Sequence, residues 1–302
     1  MPMFEHMKGL FGLLPTPYTG DLEIHTGDLE RVANFCCETG QHGVVWPVMV
    51  GEFYFVGESE RIRNLDAVLE AVNHRLPVVF GCSGLSVPQS VLYARAAQKA
   101  GADAVIAMAP ARTNANVAIE MFHRIADVFD GPIIVQNADG CAPLTGEQVA
   151  QLADDIPQIQ YVKEERQPGP KHIAEVKRLA GDRLKTIFGG AAGKQIPAEI
   201  TRGANGCMPA CEFGDLLANV FERWWAGDQA GARDLHTRLL PLINLESHAF
   251  VRYILRRRGV FTSLAERAPS GKHALDEDDK REISVLLKAV EQDVNGFPFG
   301  PE

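Results

Sequence analysis

The feature that most constrains this chain is a regular alternation of short apolar runs with amphipathic helical stretches, repeated eight times over about 220 residues. The runs cover 10–16, 43–46, 77–81, 104–109, 132–136, 159–163, 184–189 and 206–209. Helical patterns lie between and after them, near 28–39, 59–73, 86–100, 116–129, 145–154, 170–180, 196–202 and 212–226. Ser86-Val-Pro, Thr145-Gly-Glu and Pro170 supply start signals for three of these helices, and Gly40, Gly101, Gly181 and Gly203 sit where helices should stop. Eight successive strand–helix units without a break in composition predict a closed sheet rather than an open doubly wound one. The predicted fold class is therefore α/β, a (β/α)₈ TIM barrel over 1–226. Strand-like runs cease after Ala226, and helical patterns at 228–245, 247–258 and 277–293 predict a C-terminal three-helix extension over 227–302. Such an appendage covers one face of a barrel or makes a contact between subunits.

Composition narrows the class of function. The 302 residues are 46% hydrophobic and carry a net charge of −9, and the only basic triplet, Arg256-Arg257-Arg258, lies within a helical pattern. Nucleic acid is a poor partner for such a surface. No run approaches the roughly 18 apolar residues of a membrane span. The opening Met-Pro-Met-Phe-Glu-His-Met-Lys lacks the basic and apolar regions of a signal peptide. The six cysteines (36, 37, 82, 141, 207 and 211) form no CxxC pair and mostly occupy apolar runs, which fits reduced thiols in a cytoplasmic protein. The nine histidines show no metal-ligand spacing, so neither a metal nor another cofactor is expected.

Within this frame one residue stands out. Lys163 ends the sixth run, Ile159-Gln-Tyr-Val-Lys163, just before the chain turns polar at Gln167-Pro-Gly-Pro170. In barrels the carboxyl ends of the strands carry the chemistry. Withdrawal from water disfavours the charged form of an amine, and a free amine is what attack on a ketone requires. A solvated lysine at a loop entry is the structural alternative.

A barrel with a lysine ending strand six, followed by a helical appendage, resembles the dihydrodipicolinate synthase/N-acetylneuraminate lyase family. The likeness runs the full length. Leu14-Pro-Thr-Pro17 resembles the family's strand-one ending, and Val48-Met-Val-Gly-Glu52 stands where it has Gly-Thr-Thr-Gly-Glu. Tyr161-Val-Lys-Glu164 matches the strand-six lysine motif, and Phe188-Gly-Gly190 the strand-seven turn. The resemblance implies a Schiff base between Lys163 and a small-molecule 2-oxo acid. It also implies carboxylate binding by the backbone of Val48, Met49, Val50 and Gly51, and a pocket lined by Gly189 and Gly190. A homo-oligomer, a tetramer in the family's manner, would place Arg112 of the loop after strand four at a subunit contact. A solvated Arg112 is the other reading.

The departures from the family are as informative. Its aldolases end strand five with Tyr-Asn, whose phenol relays a proton to and from the substrate hydroxyl; here the pair is Gln136-Asn137. An amide cannot shuttle a proton at neutral pH. The synthases' arginine shortly afterwards is Cys141. Gln136 and the segment Leu240-Pro-Leu-Ile-Asn-Leu-Glu246 look like the L-2-keto-3-deoxyarabonate dehydratase subgroup. Retro-aldol cleavage must deprotonate the C4 hydroxyl, whereas dehydration removes a C3 proton and expels that hydroxyl as water. The expected activity is thus dehydration of a 2-keto-3-deoxy sugar acid, with Lys163 as nucleophile, Gln136 ordering substrate or water and Asn137 beside it lining the pocket and binding substrate. A pyruvate-dependent aldolase or synthase, and a non-catalytic barrel kept for binding, are the alternatives.

Three nearby features have structural readings as well. Phe188-Gly-Gly-Ala-Ala-Gly-Lys194 departs from P-loop spacing and lacks its Ser/Thr, so close backbone packing is weighed against phosphate binding. Glu52 is read as structural or catalytic. Glu164, which points away from Lys163 on a strand, is expected to hold neighbouring backbone or an arginine.

Overall fold

The computed structural model describes residues 4, 6–267 and 274–301. Residues 1–3 and 5 of the opening segment, and 268–273 within the C-terminal extension, lie outside the described residues. Eight parallel strands close into a barrel in sequence order. They are β1 (Gly9–Leu13), β2 (Gly43–Trp46), β3 (Val78–Gly81), β4 (Ala104–Ala107), β5 (Ile133–Asn137), β6 (Ile159–Glu164), β7 (Thr186–Gly189) and β8 (Gly206–Cys207). Closure is made by β8 on β1, with Gly9 opposite Gly206 and Leu10 opposite Cys207. The covering helices are α1 (Thr26–Glu38), α2 (Glu58–Val72), α3 (Val87–Ala100), α4 (Ala115–Ala126), α5 (Gly146–Asp155), α6 (Gly169–Ala180), α7 (Ile196–Ile200) and α8 (Gly214–Trp225).

The strands form where apolar residues can be buried on both faces, as a parallel sheet wrapped in helices demands. One face fills the barrel with Phe11, Leu13, Val45, Val79, Ile106, Ile134, Tyr161, Phe188 and Met208. The other packs against helices, with Val44, Val78, Val105, Ile133 and Val162 in that layer. Helix starts follow the sequence signals. Ser86 accepts from the Gln89 N–H, and Thr145 and Gln148 cap each other reciprocally. Strands 1, 4 and 8 are shorter than their apolar runs. Met108 and Ala109 continue the fourth run and are buried beyond the strand, the Met108 N–H donating to Ser83 Oγ, whereas Leu14 and Met208 lie past their strands but still donate to the Val45 and Gly189 carbonyl oxygens.

The extension comprises α9 (Gln229–Asn244), α10 (His248–Arg257) and α11 (Glu277–Leu287). The third helix ends earlier than its pattern, a short 3₁₀ turn at Glu291–Asp293 taking the remainder. One apolar cluster runs across residue 226, joining Leu216, Val220 and Phe221 of α8 to Leu235, Leu239, Phe250 and Ile254. Among the described residues no helix is long and apolar enough to cross a membrane.

Three arginines fasten the extension to the barrel. Arg258 makes a forked pair with Asp215 at 2.8 and 2.7 Å and donates to the carbonyl oxygens of Glu212 and Phe297. Arg252 pairs with Glu52 and donates to the Thr16 carbonyl at 2.7 Å. Arg267 pairs with Glu60 at 2.6 Å. The first two pairs are buried, where removing one partner strands a charge in a medium that solvates it poorly. Asp215→Ala should therefore cost about 3–5 kcal/mol, read as a lower urea midpoint by circular dichroism. An unchanged midpoint would show that the pair does not hold the extension in place.

Candidate active site

The site is built on the alternation of β6. Tyr161 belongs to the barrel interior, Val162 to the outer layer, and Lys163 again faces inward, with only 2% of its surface exposed. Lys163 stands opposite Gln136 of β5 and Phe188 of β7. Two residues further on, Glu165 returns to the same side. Its Oε1 lies 3.1 Å from Lys163 Nζ, and its Oε2 accepts a 2.8 Å hydrogen bond from Gln136 Nε2. One carboxylate thus joins the lysine to the amide that stands where the family's phenol would be. Before an ammonium can attack a carbonyl it must give up a proton, and Glu165 is an acceptor already at hydrogen-bond distance.

Room for this carboxylate comes from β7. A Cβ at Gly190 would lie 2.2 Å from Glu165 Oε1, so a side chain there would expel it. The Ala191 N–H also reaches Glu165 Oε1, at 3.4 Å. The glycine turn therefore packs closely against Glu165, and an anion at this point would have to displace the carboxylate.

The outward face of β6 has a structural task. Glu164, fully buried, accepts from the Arg166 backbone and guanidinium and from Asn137 Nδ2 at 2.8 Å. Asn137 also exchanges two hydrogen bonds with the backbone of Leu144. Its amide is committed on the far side of the strand from Gln136, which corrects the expectation that Asn137 lines the pocket. The sequence reading of Glu164 as an anchor for an arginine agrees with its contacts.

The loop after β2 is shaped for backbone recognition. The Val48 side chain belongs to the barrel core, Val50 packs on it, and the Met49 side chain is 45% exposed. Among the described residues, the N–H groups of Met49, Val50 and Gly51 donate to no protein acceptor. The Gly51 carbonyl accepts from the Thr16 hydroxyl, which in turn accepts from Trp46 Nε1 at 3.0 Å. A Cβ at Gly51 would crowd the Leu14 carbonyl and Pro47 at 3.0–3.1 Å. Glu52, with left-handed φ of 51°, is buried against Arg252 of α10. Its role is thus to hold the loop to the extension, a partner the sequence reading had not foreseen.

Further carboxyl groups surround Lys163. Glu199 of α7 is buried behind Gly189, whose Cβ would fall 1.9 Å from its Oε2. Burial, and then the charge of Glu165, push the Glu199 carboxyl up to about 8, against the pull of Lys163. Glu246, between α9 and α10, is likewise raised by burial, with Lys194 and Lys163 opposing. The Cys141 thiol is raised by burial and by Glu165. Arg112 is exposed on the loop after β4 and has left-handed φ of 61°. Within one chain it does not join the lysine.

Sequence reasoning missed Glu165, although the period-two rule that turned Glu164 outward also brings its successor inward. Glu199 and Glu246 carried no local signal, since only closure of the barrel and folding back of the extension bring them near β6. The lysine geometry itself is testable. Borohydride with pyruvate should attach one three-carbon adduct, mapped by peptide mass to Lys163, and Lys163→Ala should abolish it. Labelling of another lysine, or none, would remove the imine from the account.

Comparison with known proteins agrees with this architecture. The model of the dihydrodipicolinate synthetase family matches residues 6–290. An L-2-keto-3-deoxyarabonate dehydratase of Azospirillum brasilense is 26% identical over 294 residues, 94% of each chain. A 4-hydroxy-tetrahydrodipicolinate synthase of Methanopyrus kandleri is 28% identical over 245 residues, covering 78% of this chain and 80% of the other. Among solved structures, dihydrodipicolinate synthase of Rhodopseudomonas palustris superposes with a TM-score of 0.86 at 25% identity, covering 96% and 98% of the two chains. With the barrel, the strand-six lysine and a family match over nearly its whole length, the chain belongs to the dihydrodipicolinate synthetase family.

Proposed function

We propose that this protein is a Schiff-base hydro-lyase that dehydrates a 2-keto-3-deoxy sugar acid. Family membership supports a lyase acting on a pyruvate-type substrate. The finer reading rests on one observation: the lysine is paired with a carboxylate, while an amide occupies the phenol's place. In this mechanism the Lys163 amine adds to C2 and water leaves, giving an imine that acidifies the C3 hydrogens. Glu165 removes a C3 proton. The electron pair expels the C4 hydroxyl, which takes up a proton and departs as water. The conjugated imine then loses a C5 proton, and protons returning to C3 and C4 leave C5 as an aldehyde before hydrolysis of the imine frees Lys163. The unengaged N–H groups of Met49, Val50 and Gly51 would bind the substrate carboxylate. Gln136 would hold Glu165 in line.

The similarity to the Azospirillum dehydratase over 94% of both chains supports the same reading. The aldolase alternative has its own support, because a carboxylate at position 165 can also accept the C4 hydroxyl proton. The products decide. A screen of 2-keto-3-deoxy sugar acids should yield a 2-oxo semialdehyde faster than pyruvate, and Gln136→Tyr should raise the share of pyruvate. General acid–base help contributes about 10²–10⁴ in rate, so Glu165→Gln should lower kcat by that order. Faster release of pyruvate and an aldehyde by the wild-type enzyme would replace dehydration with cleavage. If no 2-oxo acid forms an adduct or turns over, the non-catalytic reading stands.

The proposal includes a homo-oligomer, a tetramer by likeness to the family, in which Arg112 of one copy approaches the site of another. Sedimentation velocity at micromolar concentration should show a species heavier than the 33.0 kDa chain. A lone monomer would exclude a shared site.

A further inference from the structure

The loops after β6 and β7, with α6, α7 and α9, enclose a concavity of about 580 Å³, and neither Lys163 nor Glu165 lines it. Four cations do: Lys171 of α6, Lys194 after β7, Arg202 after α7 and Arg233 of α9. No Asp or Glu lines it. All four cations are exposed, and among the described residues none forms an ion pair. Other cations of the same two helices are paired, Lys177 of α6 with Asp182 and Arg238 of α9 with Asp234 and Asp293. Glu246 feels the charge of Lys194 only at longer range than an ion pair and does not line the concavity. Positive charge is thus segregated here in a chain of net charge −9. The surround is held in place. Arg202 Nη1 donates to the Ala198 carbonyl at 3.0 Å, and the Arg233 guanidinium lies over the Trp224 ring, 4.9 Å from its centroid. His236, only 4% exposed, ties α9 to the turn that carries Lys194, its Nε2 lying 2.8 Å from the Gly193 carbonyl oxygen. Gln195 also lines the space, and its Nε2 donates to no acceptor among the described residues. The first turn of α6 opens beside it with no acidic residue and no side-chain cap, so the helix dipole adds to the positive potential.

We propose that this concavity binds a small molecule carrying at least two negative charges, phosphoryl or carboxylate, at a site separate from Lys163. Four like charges around one space repel one another, and a concave wall focuses their field. A polyanion relieves that repulsion, whereas a single charge leaves most of it. The two guanidinium groups can each meet phosphate or carboxylate oxygens through parallel N–H bonds, with the lysines as point charges and the Gln195 amide as a neutral donor. The volume falls within the roughly 300–1,000 Å³ of small-molecule sites, room for a metabolite and not just a halide. The glycine turn after β7 is closed to anions by Glu165, so Lys194 at its end offers its charge on this side instead. The site does not depend on the imine chemistry.

Isothermal titration calorimetry with pyrophosphate, citrate and acetate tests the site. Pyrophosphate or citrate should bind once per chain, and acetate, with its single charge, at least roughly tenfold more weakly, the order of one lost hydrogen bond to a charged group. Tighter pyrophosphate assigns a phosphoryl ligand, and tighter citrate a polycarboxylate. Lys163→Ala should leave this binding unchanged, which separates it from any anion held where the imine would form. Arg202→Gln and Arg233→Gln, checked for an unchanged circular dichroism spectrum, should each weaken it about tenfold. Lys177→Gln, which removes a cation of α6 that does not line the concavity, should not. The proposal is overturned if neither polyanion binds at millimolar concentration, if acetate binds as well as they do, if Lys163→Ala abolishes the binding, or if Lys177→Gln weakens it as much as the arginine variants.

Discussion

The strict alternation of side chains along a strand buried on both faces governs the chemistry of this barrel. At the carboxyl end of β6 it sends Lys163 inward, Glu164 outward and Glu165 inward again. The two adjacent glutamates therefore enter unlike environments. Glu164 is held by Arg166 and Asn137 within the wall, whereas Glu165 bridges Lys163 and Gln136 in the interior. Moving the strand register by one residue would exchange the two roles and bury the lysine among helices. Catalytic geometry and barrel closure are thus one requirement.

The extension is part of the same construction. It shares an apolar cluster with α8, and its buried arginines reach back to Glu52, Thr16 and Asp215. These contacts hold the loop after β2, in which the N–H groups of Met49, Val50 and Gly51 donate to no acceptor among the described residues. The same folding back brings Glu246 within electrostatic reach of Lys163. An appendage that looks in sequence like a separate helical piece supplies part of the wall of the mouth.

Much of the barrel was legible because its determinants are local: apolar runs of strand length, caps at Ser86 and Thr145, and glycines at helix ends. The lysine was legible from its place at the end of a run. Strand ends were overestimated because apolarity reports burial and not ladder hydrogen bonds, as Met108 and Ala109 illustrate. Asn137 was misplaced because a resemblance to a neighbouring motif says nothing about which way its side chain turns. Glu165 was overlooked although alternation predicts it. Glu199 and Glu246 were out of reach, since each comes near Lys163 only through contacts between segments distant in sequence.

The two glycines ending β7 have a consequence for how this protein can change. The space beside Gly190 is filled by the Glu165 carboxyl and that beside Gly189 by Glu199, each nearer than any Cβ could tolerate. Glycine and glutamate are therefore interlocked in two pairs, one on each side of the barrel wall. A larger residue at either glycine crowds its partner glutamate, so taken first it gives a crowded intermediate, whereas shortening the glutamate first leaves unfilled space. The pairs 165/190 and 189/199 should vary together or not at all among barrels that share this arrangement.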